Sequence, residues 1–137
     1  MTPIKIFIDT SFIIALINER DQYHNQALSL ADQYDTQLLV VTDSVLLEVA
    51  NALSRRYKFE AIQVIEDLLT SEDVEVVRLT PELFDRAFQL YKTRQDKAWG
   101  LVDCISFIVM QDRGISIAFT FDQHFAQAGF QILPSTK

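Results

Sequence analysis

Ile4-Lys5-Ile6-Phe7-Ile8-Asp9-Thr10-Ser11 is the stretch whose reading decides the fold. Up to Ile8 it is β-branched, aromatic and apolar around a single lysine, and it reads as a short buried strand. Asp9 ends the run, and the hydroxyls of Thr10 and Ser11 are suited to capping a helix over Phe12–Ile17. The order strand then helix repeats along the chain. Asp21–Tyr34 predicts a helix with Tyr23, Ala27, Leu30, Ala31 and Tyr34 on one face. Leu38–Val41 predicts a second strand, and Thr42 or Asp43 caps a helix reaching about Tyr57. Phe59–Leu69 continues as a helix and Val74–Leu79 as a third strand. Thr80-Pro81-Glu82 joins a capping hydroxyl, a first-turn proline and an acid near the positive helix end, so a helix starts there and runs to about Gln95. Leu101–Arg113 is a helix stopped by Gly114. Ser116–Thr120 is a fourth strand, a short helix ends at Gly129, and Phe130–Leu133 is a fifth strand.

Strands that alternate with helices, without hairpin signals such as Asn-Gly, predict an α/β fold with a parallel sheet covered on both faces. In open sheets of this kind ligands bind beyond the carboxyl ends of the strands, where strand order reverses.

Composition narrows the function classes. The chain has 137 residues, 49% hydrophobic and 23% charged, which suits one globular domain over residues 1–137. Twelve Lys and Arg against nineteen Asp and Glu give −7, which excludes attachment to nucleic acid through a broadly basic surface. Any contact with nucleic acid is then local, or metal ions supply the positive charge. The single cysteine, Cys104, excludes an intramolecular disulfide and a Cys-cluster metal site, and His24 and His124 are too far apart for a short His motif. The longest apolar run, Phe12–Ile17, falls far short of the roughly 20 residues of a membrane span. Asp9 and Asn18 interrupt any secretory signal, so a cytoplasmic protein without membrane attachment is expected.

Carboxylates stand where ligands should bind. Asp9 closes the first strand and Asp122 follows the fourth, although either could simply cap the next helix. Asp103 lies in the first turn of a helix, Leu101–Met110, that is apolar almost all round and therefore buried. A buried carboxylate must be paired, hydrogen-bonded or metal-bound, and first-turn N–H groups are one way to satisfy it. Glu48 lies on a narrow polar stripe with Ser44, Asn51 and Arg55, which reads either as an exposed face or as the wall of a cleft, with Asn51 supporting Glu48. Four acids brought together would repel one another, and a divalent cation on oxygen ligands relieves that repulsion. Such ions bind phosphates and support in-line displacement at phosphorus.

Four segments, in this order, resemble the PIN domain and within it the small VapC-type toxin ribonucleases. They are Phe7-Ile8-Asp9-Thr10-Ser11; Thr42-Asp43-Ser44 with Glu48-Val49-Ala50-Asn51-Ala52-Leu53; Asp96 with Trp99-Gly100-Leu101-Val102-Asp103-Cys104; and Thr120-Phe121-Asp122-Gln123-His124-Phe125 with Gly129-Phe130. The resemblance spans nearly the whole chain. It implies an α/β/α sandwich around a mostly parallel five-stranded sheet, and hydrolysis of RNA phosphodiesters with Mg²⁺ or Mn²⁺. Asp9, Glu48, Asp103 and Asp122 match the family's four acidic positions, with Asp9 and Asp103 the best-placed metal ligands. Glu48 would hold metal or orient the attacking water, and Asp122 would act directly or through water. Thr10 and Thr120 match supporting hydroxyl positions, and Asp96 matches an often acidic position that is an outer ligand or a cap. Strand alternation would aim Thr120 and Asp122 the same way if the fourth strand persists that far. Val102 departs from the pattern, since a hydroxyl residue is common just before the third acid.

The resemblance also implies a cognate antitoxin partner and a homodimer, served by the apolar helices between Asp43 and Leu69 and from Leu83 to Tyr91. Arg55, Arg56 and Lys58 form one small basic patch, and Lys92, Arg94 and Lys97 another; Arg55, Arg56 and Lys97 are the candidate phosphate contacts, against the plainer reading of solvated helix ends. Trp99 and Tyr91 could stack bases but read first as core or interface packing, His124 could approach the substrate but reads first as a short-helix surface or packing residue, and Cys104 reads as a small buried hydrophobe. A non-catalytic RNA- or protein-binding module on the same fold is the alternative. A haloacid-dehalogenase-like phosphatase would need a second aspartate where Ser11 stands, and a nucleotide-binding Rossmann module would need a glycine-rich loop after the first strand.

Overall fold

The computed structural model describes residues 4–135. Among these residues the chain forms β1 (Lys5–Ile8), α1 (Thr10–Ile17), α2 (His24–Gln33), β2 (Leu38–Thr42), α3 (Asp43–Ala52), α4 (Lys58–Thr70), β3 (Val74–Val77), α5 (Pro81–Thr93), α6 (Leu101–Arg113), β4 (Ile117–Phe119), α7 (His124–Gln127) and β5 (Gln131–Leu133). The five strands form one sheet in the order β3-β2-β1-β4-β5, and every neighbouring pair is parallel. The chain steps outward from β1 to β2 and β3, then returns to pair β4 with the other side of β1. Strand order therefore reverses between β1 and β4, and a crevice opens beyond their carboxyl ends.

Right-handed crossovers place helices on both faces of such a sheet. Ile8 and Phe119 sit side by side in the β1–β4 register and share one face; Phe12 of α1 stacks on Phe119 with ring centroids 4.6 Å apart. Phe7 and Ala118 take the opposite face by strand alternation. Phe7 meets Phe125 of α7 at 6.1 Å, and Phe107 of α6 packs edge-on against Phe125 at 4.9 Å. These aromatic groups are buried and tie β1, α6 and α7 together.

Several expected boundaries move. The helix expected from Thr42 or Asp43 to about Tyr57 stops at Ala52. There the Ser54 hydroxyl donates to the carbonyl of Ala50 at 2.7 Å, and Tyr57 takes a left-handed conformation with φ 67° before α4 begins. The helix expected over Asp21–Tyr34 starts only at His24, because the Asp21 side chain accepts the Tyr23 N–H and closes a turn. The fourth strand ends at Phe119 rather than Thr120, with consequences for the site below. α5 is capped as its sequence predicts, with Thr80 Oγ1 accepting the Leu83 N–H at 3.1 Å and Pro81 in the first turn. No helix among the described residues is long and apolar enough to cross a membrane.

Candidate active site

Asp9 follows the last residue of β1, and its backbone N–H donates to Phe119 O at 3.0 Å, fixing it against the end of β4. It occupies the N-cap position of α1 yet makes no side-chain cap bond. Its Oδ2 instead accepts the Thr120 hydroxyl at 2.8 Å and the Ser11 hydroxyl at 3.0 Å. The residue is 4% exposed. Burial pushes its carboxyl up from 3.8 to about 6; the Thr120 hydrogen bond opposes the rise and the nearby charge of Asp103 adds to it. A buried acid held by hydroxyls near another acid has donor chemistry that a divalent cation could use.

Thr120 is fully buried and organises the crevice. Its Oγ1 lies 3.2 Å from Ser11 Oγ and accepts the Asp122 N–H at 3.0 Å. The strand has already ended, so a hydroxyl-closed turn, not strand alternation, relates Thr120 to Asp122. Ser11, expected from the sequence only as a helix-capping hydroxyl, completes the cradle by also accepting the Phe121 N–H at 3.0 Å.

Asp103 opens α6, where its Oδ2 accepts the Gly100 N–H at 3.1 Å. The same oxygen lies 2.9 Å from Nδ1 of His124, which is also 3.3 Å from Oδ2 of Asp122. The Asp122 Oδ1 accepts the His124 N–H at 2.9 Å. Asp103, Asp122 and His124 each offer a ligand atom within 4.8 Å of the others. His124, expected first as a packing or surface residue, instead has its ring between two acids. Its signal was the spacing Asp-x-His at the start of a short helix, which returns the ring toward the carboxylate before it.

Asp9 and Glu48 fall outside that group. Glu48 is exposed on α3, and its Oε1 accepts the Thr10 hydroxyl at 2.6 Å, which brings it beside the residue after Asp9. Thr10 is thus a link between α1 and α3. Asn51 is exposed and makes no side-chain hydrogen bond among the described residues, leaving Glu48 without the support expected from it. Asp96 also lies apart: it forms a bidentate pair with Arg94 at 3.0 and 3.1 Å, which holds its carboxyl below the usual range. Arg55 and Arg56 are exposed in the loop between α3 and α4. Cys104 is buried, and burial pushes its thiol up to about 11, so it is an unreactive packing group.

A cavity of about 850 Å³ adjoins the cluster, lined in part by Ser11, Tyr23, Phe121, Asp122 and His124. Tyr23 stacks on Phe121 with centroids 4.4 Å apart and planes 4° from parallel.

The shift of Asp9 has a measurable sign. Stabilisation from its neutral form is full below its ordinary value of 3.8 and is lost as pH rises through about 6. The contribution is of the order of 3 kcal/mol. Without divalent metal, the melting temperature of the parent chain is expected to fall between pH 4 and 7 relative to Asp9→Asn. Scanning calorimetry of both proteins checks this, and parallel curves contradict it. A cation held by Asp9 would compete with the proton for the same oxygens, so its affinity is expected to drop as pH falls through 6.

The chain matches the PIN domain over residues 6–131. It is 33% identical over 125 residues to the 23S rRNA-specific endonuclease VapC20 of Mycobacterium tuberculosis, covering 91% of this chain and 95% of that protein. The crystal structure of that VapC20, described as a sarcin-ricin loop cleaving toxin, superposes with a TM-score of 0.83 at 32% identity, covering 91% of this chain and 95% of the other. VapBC2 from Rickettsia felis, bound to a promoter DNA fragment, gives 0.65 at 13% identity with 94% and 97% covered. DNA-bound VapBC from Salmonella typhimurium gives 0.63 at 16% with 94% and 96% covered; these two likenesses concern the fold alone. With a parallel sheet, carboxylates at its switch point and these likenesses, the chain belongs to the PIN domain family.

Proposed function

We propose that this protein is a Mg²⁺- or Mn²⁺-dependent endoribonuclease, the toxin of a toxin–antitoxin pair, acting in the cytoplasm on large-subunit ribosomal RNA. The observation that carries this reading is the buried, proton-favouring Asp9 facing Asp103 at the β1–β4 crevice, with Asp122 and His124 gathered against Asp103. The donor set is mostly hard oxygen, which suits these cations. The target follows the name of the relative that is 33% identical over most of both chains.

Asp9, Asp103 and Asp122 would hold the metal, with Glu48 at its margin. A bound divalent cation supplies the positive charge that polarises a phosphoryl oxygen and makes water a better nucleophile at neutral pH. Thr10 fixes one Glu48 oxygen, leaving the other to accept a proton from the attacking water. The water oxygen bonds to phosphorus in line with the leaving 3′-oxygen. The P–O3′ bond breaks and the 3′-oxygen takes a proton from solvent, giving 5′-phosphate and 3′-hydroxyl ends. Thr120 and Ser11 keep Asp9 from swinging away. His124 fixes the separation of Asp103 and Asp122. Arg55, Arg56 and Lys97 are proposed to meet RNA phosphates at the rim.

Exposed apolar side chains support the proposed homodimer and antitoxin contacts. Phe84, Phe88 and Tyr91 form a stacked ridge along α5, with centroids 6.2 and 6.4 Å apart. Leu47 on α3 is 65% exposed and Phe59 on α4 is 69% exposed, more than an isolated surface would favour. Calorimetric titration with Mg²⁺ and Mn²⁺ tests the metal site. Binding that Asp9→Asn weakens is expected, and no binding by the parent chain would count against the reading.

A further inference from the structure

We propose that the cavity between the end of α5 and the start of α6 holds backbone phosphates of the RNA strand beside the scissile bond. The cavity measures about 600 Å³ and is lined in part by Tyr91, Lys92, Arg94, Lys97, Trp99 and Gly100. Because the ligand is RNA, the assignment stands only if the chain is a ribonuclease.

In a chain of net charge −7 this cavity has no carboxylate in its lining, whereas the cavity of Arg78, Arg86 and Arg113 also holds Glu75, Glu82 and Asp112. Three of the chain's twelve Lys and Arg residues line the first of these spaces. Their charges are not equivalent. Arg94 is committed: it pairs with Asp96 through two hydrogen bonds, and its guanidinium lies 4.9 Å from the centroid of the Trp99 ring. Lys92 and Lys97 form no ion pair among the described residues, although the charge of Lys97 helps to lower the Asp96 carboxyl. The Lys92 ammonium lies 5.0 Å over the Phe88 ring. Lys92 sits in the last turn of α5, where a cation also complements the helix dipole. Lys97 lies beyond the helix, in the loop, where no such explanation applies; its N–H donates to Arg94 O at 3.1 Å. Two ammonium groups outside any ion pair, beside the Arg94–Trp99 contact, make a cationic recess with room for backbone phosphates.

The cavity adjoins the carboxylates. Gly100 forms part of the cavity wall and donates its N–H to Asp103 Oδ2. Trp99 Nε1 donates at 3.0 Å to Gln127 Oε1, and Gln127 lines the neighbouring cavity that also holds Asp122 and His124. The carboxylate cluster thus borders both this cationic recess and the cavity of Tyr23 and Phe121. A polyanion crossing Asp103 enters the cationic recess next. An acidic protein segment is the competing occupant, but it would bring more carboxylate to an already acidic crevice without a phosphate to offer the metal site.

The test uses the full chain carrying Asp103→Asn, which is expected to bind RNA but cut it at least about 100-fold more slowly, and a labelled 12-nucleotide single-stranded RNA followed by fluorescence anisotropy from 50 to 300 mM KCl. Adding Lys92→Gln and Lys97→Gln is expected to weaken binding about tenfold at low salt. The slope of log K against log salt should fall by about 1.4, since each lost contact to a single strand removes about 0.7. Lys92→Arg with Lys97→Arg, which keeps both charges, should restore binding and slope. In the otherwise native chain the glutamine pair should raise KM for RNA cleavage with little change in kcat. Unchanged affinity and slope in the glutamine pair, with the parent still cutting RNA, overturns the cavity assignment alone, as does loss of binding to poly-glutamate without loss of RNA binding. A parent chain that neither binds nor cuts RNA overturns the ribonuclease reading and this assignment together.

Discussion

Asp103→Asn is expected to reduce RNA cleavage by at least about 100-fold while the protein stays folded. Removing one preorganised electrostatic group from a site where charge develops commonly costs about 10² to 10³ in rate. Asp103 is the acid on which the cluster converges. It adds to the upward shift of Asp9, meets His124 at 2.9 Å and is anchored by the Gly100 N–H. Asparagine keeps the shape and can keep the bond from Gly100, but it removes the charge that a cation would answer. It also relieves the repulsion of Asp9, so the melting temperature of the metal-free protein should stay level or rise. Cleavage assays beside thermal unfolding check both parts. Full activity in the variant, or a folded fraction that falls with activity, would contradict the assignment.

Phe107→Ala is expected to destabilise the chain by about 3 to 5 kcal/mol, the usual range for emptying a buried phenylalanine site. Phe107 is 1% exposed and contacts three rings: Trp99 at 5.0 Å, Phe125 at 4.9 Å and Phe130 at 5.8 Å. A domain of this size has about 5 to 15 kcal/mol in total, so a large share of its stability would go. The same rings join α6, which carries Asp103, to α7, which carries His124. Activity lost by this variant should therefore return on cooling, as the folded fraction recovers, whereas Asp103→Asn stays inactive at every temperature. Urea unfolding with the slope monitored measures the first effect, and a change below 1 kcal/mol would mean that the site collapses onto the gap.

The strands were readable because β1, β2 and β4 are short apolar runs ended by polar residues, and Asp9 was readable because it ends one of them. The four acids could be placed in order along the chain, but their separations could not. Asp103, Asp122 and His124 come together through the turn that Thr120 closes and the start of α7, a three-dimensional return that no periodicity encodes. His124 was hidden for that reason. The end of α3 was hidden because residues 53–57 retain helix-compatible types, while the Ser54 back-bond and the left-handed Tyr57 break the helix. Asp96 and Asn51 matched by position and diverge in contact: a neighbouring guanidinium engages the first, and the second stands on the exposed part of its helix.

Incubating the purified chain with intact ribosomes and with a mixed RNA pool, in Mg²⁺, in Mn²⁺ and in EDTA, beside its Asp103→Asn variant, tests the central claim most directly. Cleavage of large-subunit ribosomal RNA that needs the metal and Asp103, with 5′-phosphate ends at the cut, is the predicted result. Cleavage that persists in EDTA or in the variant, or intact RNA in every lane despite measured metal binding, would contradict it.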